Sequence, residues 1–320
     1  MIRKTLRIPR LLAAALLTMT LLSLSLPTSS QAADEPCPCK VIDDVVFGHK
    51  DGLALTLDVV TPEQNAKGLG IILVASGGWH SDKSDIPARN IKRMNEEHWI
   101  QGLLKGGYTL FVARHGSGPR YHVPEMVEDI RRAVRFVRLH AKEYGVDPDE
   151  LGITSGSSGG HLSLMVGLTG DDGRADSEDP VERTSSRVQA IVSWFPPTDL
   201  VNWRKPGGYT SIMKSQPKMF EEMFGKVTDL EAQLKSISPI EFVTSDDPPL
   251  LLLHGDLDFV VPLQQSEVLR DKYEATKLPV KLIVHRKGMH SEWPGIMDDY
   301  PAVWEWFDKY LEKEDAAAAK

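Results

Sequence analysis

The stretch Leu151-Gly-Ile-Thr-Ser-Gly-Ser-Ser-Gly-Gly-His-Leu162 reads as a buried strand that ends in a glycine-rich turn and opens a helix. A serine on so sharp a turn needs small neighbours two residues to either side, because the backbone there is strained and passes close to the sheet. Its hydroxyl then projects above the strand ends, beside a helix N-terminus that favours negative charge. Two serines compete for that place. Ser158 satisfies G-x-S-x-G with Gly156 and Gly160, whereas Ser157 is flanked by Ser155 and Gly159.

Working outward, short apolar runs bounded by glycine, proline or charge recur at 71–75, 108–113, 151–154, 188–195, 250–254 and 280–284. Runs of this kind suit parallel strands buried on both faces. Between them, residues 123–144 show a helical period. Met126, Ile130, Val134, Val137 and Ala141 repeat every three to four residues, with Arg131, Arg132, Arg135 and Arg138 placed outside. Residues 44–48 and 53–60 read as two strands of a hairpin around Lys50-Asp51-Gly52. The pattern predicts an α/β fold, a mostly parallel doubly wound sheet with an N-terminal antiparallel hairpin. Insertions at about 170–186 and 198–238 follow strands, where such folds place their sites. The acidic run at 171–182 lacks a calcium-loop pattern and reads as a solvated loop.

The 320 residues are 41% apolar and 26% charged with a formal charge of −8, enough for a packed core and a soluble surface. That balance excludes a disordered or collagen-like chain, and with no polybasic face it excludes a general nucleic-acid binder. Ten histidines show no paired metal spacing, so no metal is expected. Arg3, Lys4, Arg7 and Arg10 precede an apolar run from 11 to 26, and Ser30 and Ala32 stand at −3 and −1 of a cleavage point. Residues 1–32 therefore read as a signal peptide, the apolar run of about 16 residues being short for a membrane span. A secreted or periplasmic protein follows, with a catalytic domain over 33–313, no later span, and a flexible tail at 314–320. Cys37-Pro38-Cys39 leaves three states open: a strained internal pair, pairing between chains, or free thiols.

The block at 156–165 resembles the G-x-S-A-G-G-H-L signature of bacterial serine esterases of the α/β-hydrolase fold. The branch is the one near hormone-sensitive-lipase-like and feruloyl or acetylxylan esterases. Setting Gly159-Gly160-His161-Leu162 on G-G-H-L places Ser157 at the nucleophile, Ser158 at the usual alanine, and Ser155 where glycine is expected. Ala75-Ser76-Gly77-Gly78-Trp79 resembles the H-G-G-G-W oxyanion loop, with Ala75 at the histidine and Ser76 at the first glycine. The resemblance implies an oxyanion hole of Gly77, Gly78 and the Ser158 backbone N–H. The stretch from Pro248 to Pro262 resembles H-G-x-x-D…V-P, which implies Asp258 as the acid, with Asp256 the competitor suited to capping its own turn. Val284-His-Arg-Lys-Gly-Met-His290 then places His290 as the base, His285 lying within the strand's extension.

The order Ser157, Asp258, His290 is that of the fold. What the resemblance implies is a carboxylic ester hydrolase, here one exported by the signal of residues 1–32, working through an acyl-enzyme without cofactor on small-molecule or carbohydrate-linked acetyl or feruloyl esters. The same elements resemble prolyl-oligopeptidase-type catalytic domains, so a serine peptidase stays open, as does a non-catalytic binding protein on the same fold. Trp79 and Trp293 flank the implied loops and are read either as substrate-pocket residues or as packing anchors. The segment Trp194-Phe-Pro-Pro-Thr-Asp199 is either a pocket wall or a turn, and His115 and Tyr121 are read as scaffolding before pocket residues.

Overall fold

Two residues in left-handed backbone set the edge of the sheet. Asp51 and Gly52 have φ of 48° and 77°, the pair of positive values that a type I′ turn requires. They join β1 (Cys39–Lys50) to β2 (Leu53–Pro62) as an antiparallel hairpin with Lys50 opposite Leu53. The computed structural model describes residues 37–81, 98–208, 218, 221, 224–226 and 229–312. The segments read as a signal peptide (1–32) and a tail (314–320), and part of the insertion at 198–238, lie outside the described residues.

β2 pairs antiparallel with β4 (Thr109–Ala113), and every later pairing is parallel. These strands are β3 (Gly70–Val74), β5 (Leu151–Gly156), β6 (Ala190–Trp194), β7 (Leu250–Gly255) and β8 (Val280–His285). The eight strands run in the order β1-β2-β4-β3-β5-β6-β7-β8, the α/β-hydrolase arrangement. Every residue of β3 to β7 is buried, which is why these strands read as continuous apolar runs.

Among the described residues six helices cover the faces: α1 (His98–Lys105), α2 (Val123–Leu139), α3 (Ser157–Leu168), α4 (Leu230–Ser236), α5 (Gln264–Thr276) and α6 (Tyr300–Leu311). Alternation along each strand divides the core. Ile72 and Val74 pack with Met126 of α2, Leu164 of α3 and Leu269 of α5, whereas Ile71 and Leu73 pack with Leu103 of α1 and Phe307 of α6. The α3 helix is buried from Ser158 to Leu168, so the turn before it is gripped on all sides.

Three expectations are revised. β1 begins at Cys39, not at residue 44, because its ladder reaches back to Cys39 opposite Pro62. The helix predicted over 123–144 ends at Leu139, and Gly145 (φ 71°) closes a 3₁₀ turn over Ala141–Tyr144. The acidic loop is not merely solvated. Arg132 and Arg135 of α2 pair with Glu182 at 2.7 and 2.6 Å, and Arg135 with Asp171 at 2.5 Å. The insertion at 170–186 is thus fastened to α2 by the arginines that the periodicity placed outside. Cys37 and Cys39 are free, half-buried thiols, and burial pushes both upward in pKa. Among the described residues no helix is long and apolar enough to cross a membrane.

The contact of α1 with α6 shows how tightly the outer layer is drawn. A Cβ at Gly102 would sit 2.3 Å from the Tyr300 ring. Gly102→Ala is expected to destabilise the fold by about 1–3 kcal/mol through overpacking, despite alanine's better helix propensity. Urea unfolding of the two proteins measures it, and unchanged or higher stability would contradict the packing account.

Candidate active site

Ser157 stands at the junction of β5 and α3 with φ 52°. A left-handed backbone at a residue with a Cβ costs about 1–3 kcal/mol and persists only where the surroundings impose it. The imposition comes from close approach. A Cβ at Gly159 would lie 2.3 Å from Ser155 Oγ and 3.0 Å from Ala75 O, and one at Gly160 would lie 2.7 Å from Ser193 Oγ. Ser155, where the signature has glycine, is accommodated because its hydroxyl donates to Val74 O at 2.7 Å.

From this elbow Ser157 Oγ lies 3.0 Å from His290 Nε2, and His290 Nδ1 lies 2.7 Å from Asp258 Oδ2. Ser158 faces the other way: it is buried, and its Oγ accepts from Gly77 N–H at 3.1 Å. The Asp258 side chain is buried, and its Oδ1 accepts from the N–H groups of Val260 and Val261 at 2.8 Å each. Burial pushes this carboxyl up, but hydrogen bonds from His254 and His290, the nearby imidazole charge and the Val261 N–H outweigh it. The carboxyl is held well below the usual carboxylate range. His254 sits behind it, wholly buried, with Nε2 at 2.9 Å from Val261 O and 3.4 Å from Asp258 Oδ2. Asp256 is exposed and turns to the Lys287 N–H instead.

The oxyanion-loop residues differ in what their amides can do. Gly77 lines the cleft, and its N–H is engaged by Ser158 Oγ at 3.1 Å. Gly78, with φ 64° beside Gly77 at 149°, lines the cleft, and the Ser158 N–H in the first turn of α3 has no acceptor within its helix. Ser76 knots loop and elbow together, donating to Gly156 O at 2.7 Å and accepting from Gly159 N–H at 3.3 Å.

The cleft above Ser157 and His290 holds about 410 Å³ and is walled by Leu73, Trp99, Phe195 and Val260. Phe195 packs edge-on to His290, ring centres 4.7 Å apart, so the stretch that read as either wall or turn supplies a wall. Trp99 was not singled out in the sequence, for it lies on α1, far in sequence from the recognisable motifs. Among the described residues no group of three or more His, Cys, Asp or Glu is placed to hold a metal.

The sequence pattern of the BD-FAE family matches residues 57–273. This chain belongs to the BD-FAE family. It is 27% identical over 270 residues to a probable carboxylic ester hydrolase, LipM, of Mycobacterium tuberculosis, covering 79% of this chain and 59% of that one. It is 30% identical over 213 residues to the esterase LipQ of the same organism, covering 64% of this chain and 47% of that one. The chain therefore spans about half to three-fifths of the length of these curated relatives. Among solved structures, a truncated form of a carbohydrate esterase from gut microbiota superposes with a TM-score of 0.71 at 28% identity, covering 87% of this chain and 99% of that one.

Of the two roles open to Trp79 and Trp293 in this BD-FAE chain, the contacts are those of an anchor, and neither lines the cleft. Trp79 is 8% exposed with φ 61°, and its ring lies against His161 and Phe224, away from the cleft. Trp293 stacks on His285 at 4.7 Å and donates to Asp299 Oδ2 at 2.8 Å. Both are anchors of loops, not walls. His115 and Tyr121 are likewise buried, His115 with Nδ1 at 2.7 Å from Gly116 O and Tyr121 with Lys50 Nζ 4.4 Å from its ring centre.

The anchoring of Trp79 has a measurable signature in this BD-FAE member. His161 is fully buried; its Nδ1 accepts from Trp79 Nε1–H at 3.2 Å, and its Nε2–H donates to Ile237 O at 2.7 Å. Burial pulls this imidazole down to about 4, the Ile237 carbonyl resisting only in part. Because the folded value lies below the unfolded one of about 6.5, the unfolded chain takes up the proton first as pH falls. Stability is complete above about pH 6.5 and is lost toward pH 4, by ~2 kcal/mol at pH 5. His161→Gln, whose amide can serve both partners, is expected to flatten that slope between pH 7 and 5 in urea unfolding. An unchanged slope would refute it.

Proposed function

We propose that this chain is an exported serine esterase that hydrolyses carbohydrate-linked acetyl or feruloyl esters. The observation that carries the reading is the hydrogen-bonded line from Asp258 through His290 to Ser157, opening on a cleft beside the Gly78 loop. Ester hydrolysis as a class agrees with the named relatives, and the carbohydrate class with the gut-microbiota esterase of 28% identity. Export rests on the basic and apolar pattern of residues 1–32.

In this mechanism His290 Nε2 takes the proton of Ser157 as its oxygen attacks the ester carbonyl. Asp258, ionised at any working pH, fixes the tautomer with the proton on Nδ1 and stabilises the imidazolium that forms. The N–H groups of Gly78 and Ser158 receive the oxyanion. His290 then gives its proton to the leaving alcohol, and water, activated by the same imidazole, clears the acyl group from Ser157. Ser158 works through its side chain as well, holding Gly77 so that Gly78 faces inward.

Ser157→Ala is expected to lower kcat by about 10⁵-fold with thermal melting retained, and Ser158→Ala by only about tenfold through a loosened oxyanion loop. Assays on acetylated xylo-oligosaccharides and on p-nitrophenyl acetate read both; the reverse ranking would transfer the nucleophile to Ser158. Asp258→Asn is expected to cost about 10³–10⁴ in kcat, while Asp256→Asn stays within a few-fold. Equal effects of the two, measured at matched stability, would remove Asp258 from the triad.

A further inference from the structure

The loops that carry the acid and the base also carry an apolar ridge. Among the described residues ten large hydrophobic side chains stand exposed, and four of them, Leu257, Phe259, Val260 and Met289, lie on these two loops. Phe259 is 72% and Val260 60% exposed. Side chains of this size forgo about 1.5–3 kcal/mol each by staying in water, and apolar surface gathered beside a cleft marks ligand contact.

The ridge is held firmly. Leu257 N–H donates to Gly288 O at 2.8 Å, tying the acid loop to the base loop. Asp258 Oδ1 accepts from Val260 N–H at 2.8 Å, and Arg204 Nη2 donates to Phe259 O at 2.7 Å. The backbone is thus fixed from three sides while Phe259 projects into solvent, and Val260 continues the ridge into the wall of the cleft. Preorganised apolar surface binds without paying to order itself.

The chemistry decides which half of an ester meets it. The leaving oxygen must take its proton from His290 Nε2, so the alcohol half lies on the His290 side, toward Val260 and Ser291. The acyl half is left to the buried end formed by Leu73, Gly156 and Phe195. A wholly apolar alcohol would need a concave groove that removed it from water on every side. An open ridge suits a ring with one apolar face and polar edges.

We propose that the Phe259–Val260 ridge is the subsite for the sugar ring of the alcohol half, the C–H face of a pyranose resting on Phe259 with its hydroxyls in water. This rests on the carbohydrate-ester reading above. The experiment compares kcat/KM on acetylated xylotriose and on ethyl acetate for the wild type, Phe259→Ala and Phe259→Trp. In Phe259→Ala the ratio of the two is expected to fall about tenfold, through KM for the oligosaccharide, and in Phe259→Trp to be kept. An unchanged ratio in Phe259→Ala, or an equal fall in both variants, would overturn the subsite. Wild-type protein that cleaves ethyl acetate and leaves acetylated xylotriose intact would overturn the carbohydrate reading itself, and the proposed occupant with it.

Discussion

The architecture turns on a backbone conformation that the chain would not adopt alone. Ser157 is held left-handed between β5 and α3, and it stays so because α3 is pressed against the strand ends with only hydrogen atoms to spare at Gly159 and Gly160. A helix buried from Ser158 to Leu168 cannot slide outward to relax the turn, since that would open a cavity beneath Leu162 and Leu164. The strain is therefore carried by the core packing of α3 on its face of the sheet. The result is a hydroxyl that stands clear of the strand edge, 3.0 Å from an imidazole contributed 133 positions later in the chain.

Around that turn the neighbouring loops are linked through a few polar groups, each with more than one task. Asp258 orients His290 and at the same time closes its own loop through the Val260 and Val261 amides, so this carboxylate and the ridge beside it share one anchor. Ser158 and Ser76 together join the Gly77 loop to the elbow, a polar knot where the family signature would have alanine and glycine. His161 extends the connection, linking Trp79 of that loop to Ile237 at the end of α4. Buried polar groups satisfied in this way specify one arrangement more sharply than apolar packing does, because a shift leaves donors unpaired.

How much could be read in advance varied with the kind of signal. The hairpin turn at Asp51-Gly52 was legible because only residues tolerant of positive φ serve there, and the buried strands because an apolar run needs no partner to be recognised. The end of α2 was misplaced: Ala141 keeps the helical period, yet its residue is absorbed by a 3₁₀ turn that the period cannot distinguish. Trp79 and Trp293 stayed open between pocket and anchor for a different reason. An indole beside a catalytic-looking loop is equally suited to wall and anchor, and the outcome depended on His161 and His285, residues distant or unremarkable in sequence. Trp99 and Val260, which wall the cleft, carried no motif at all.

The amino-acid order by itself determined the strand and helix succession, the strained turn and the short list of serines, carboxylates and histidines able to act, because those depend on local sterics and on apolar periodicity. The motif register along the chain also pointed to Ser157, whereas which loop amide Ser158 Oγ engages and which aromatic rings enclose the cleft were decided by the tertiary structure alone. Such choices turn on differences of an ångström between segments that approach only after the sheet has formed, and no spacing along the chain encodes them.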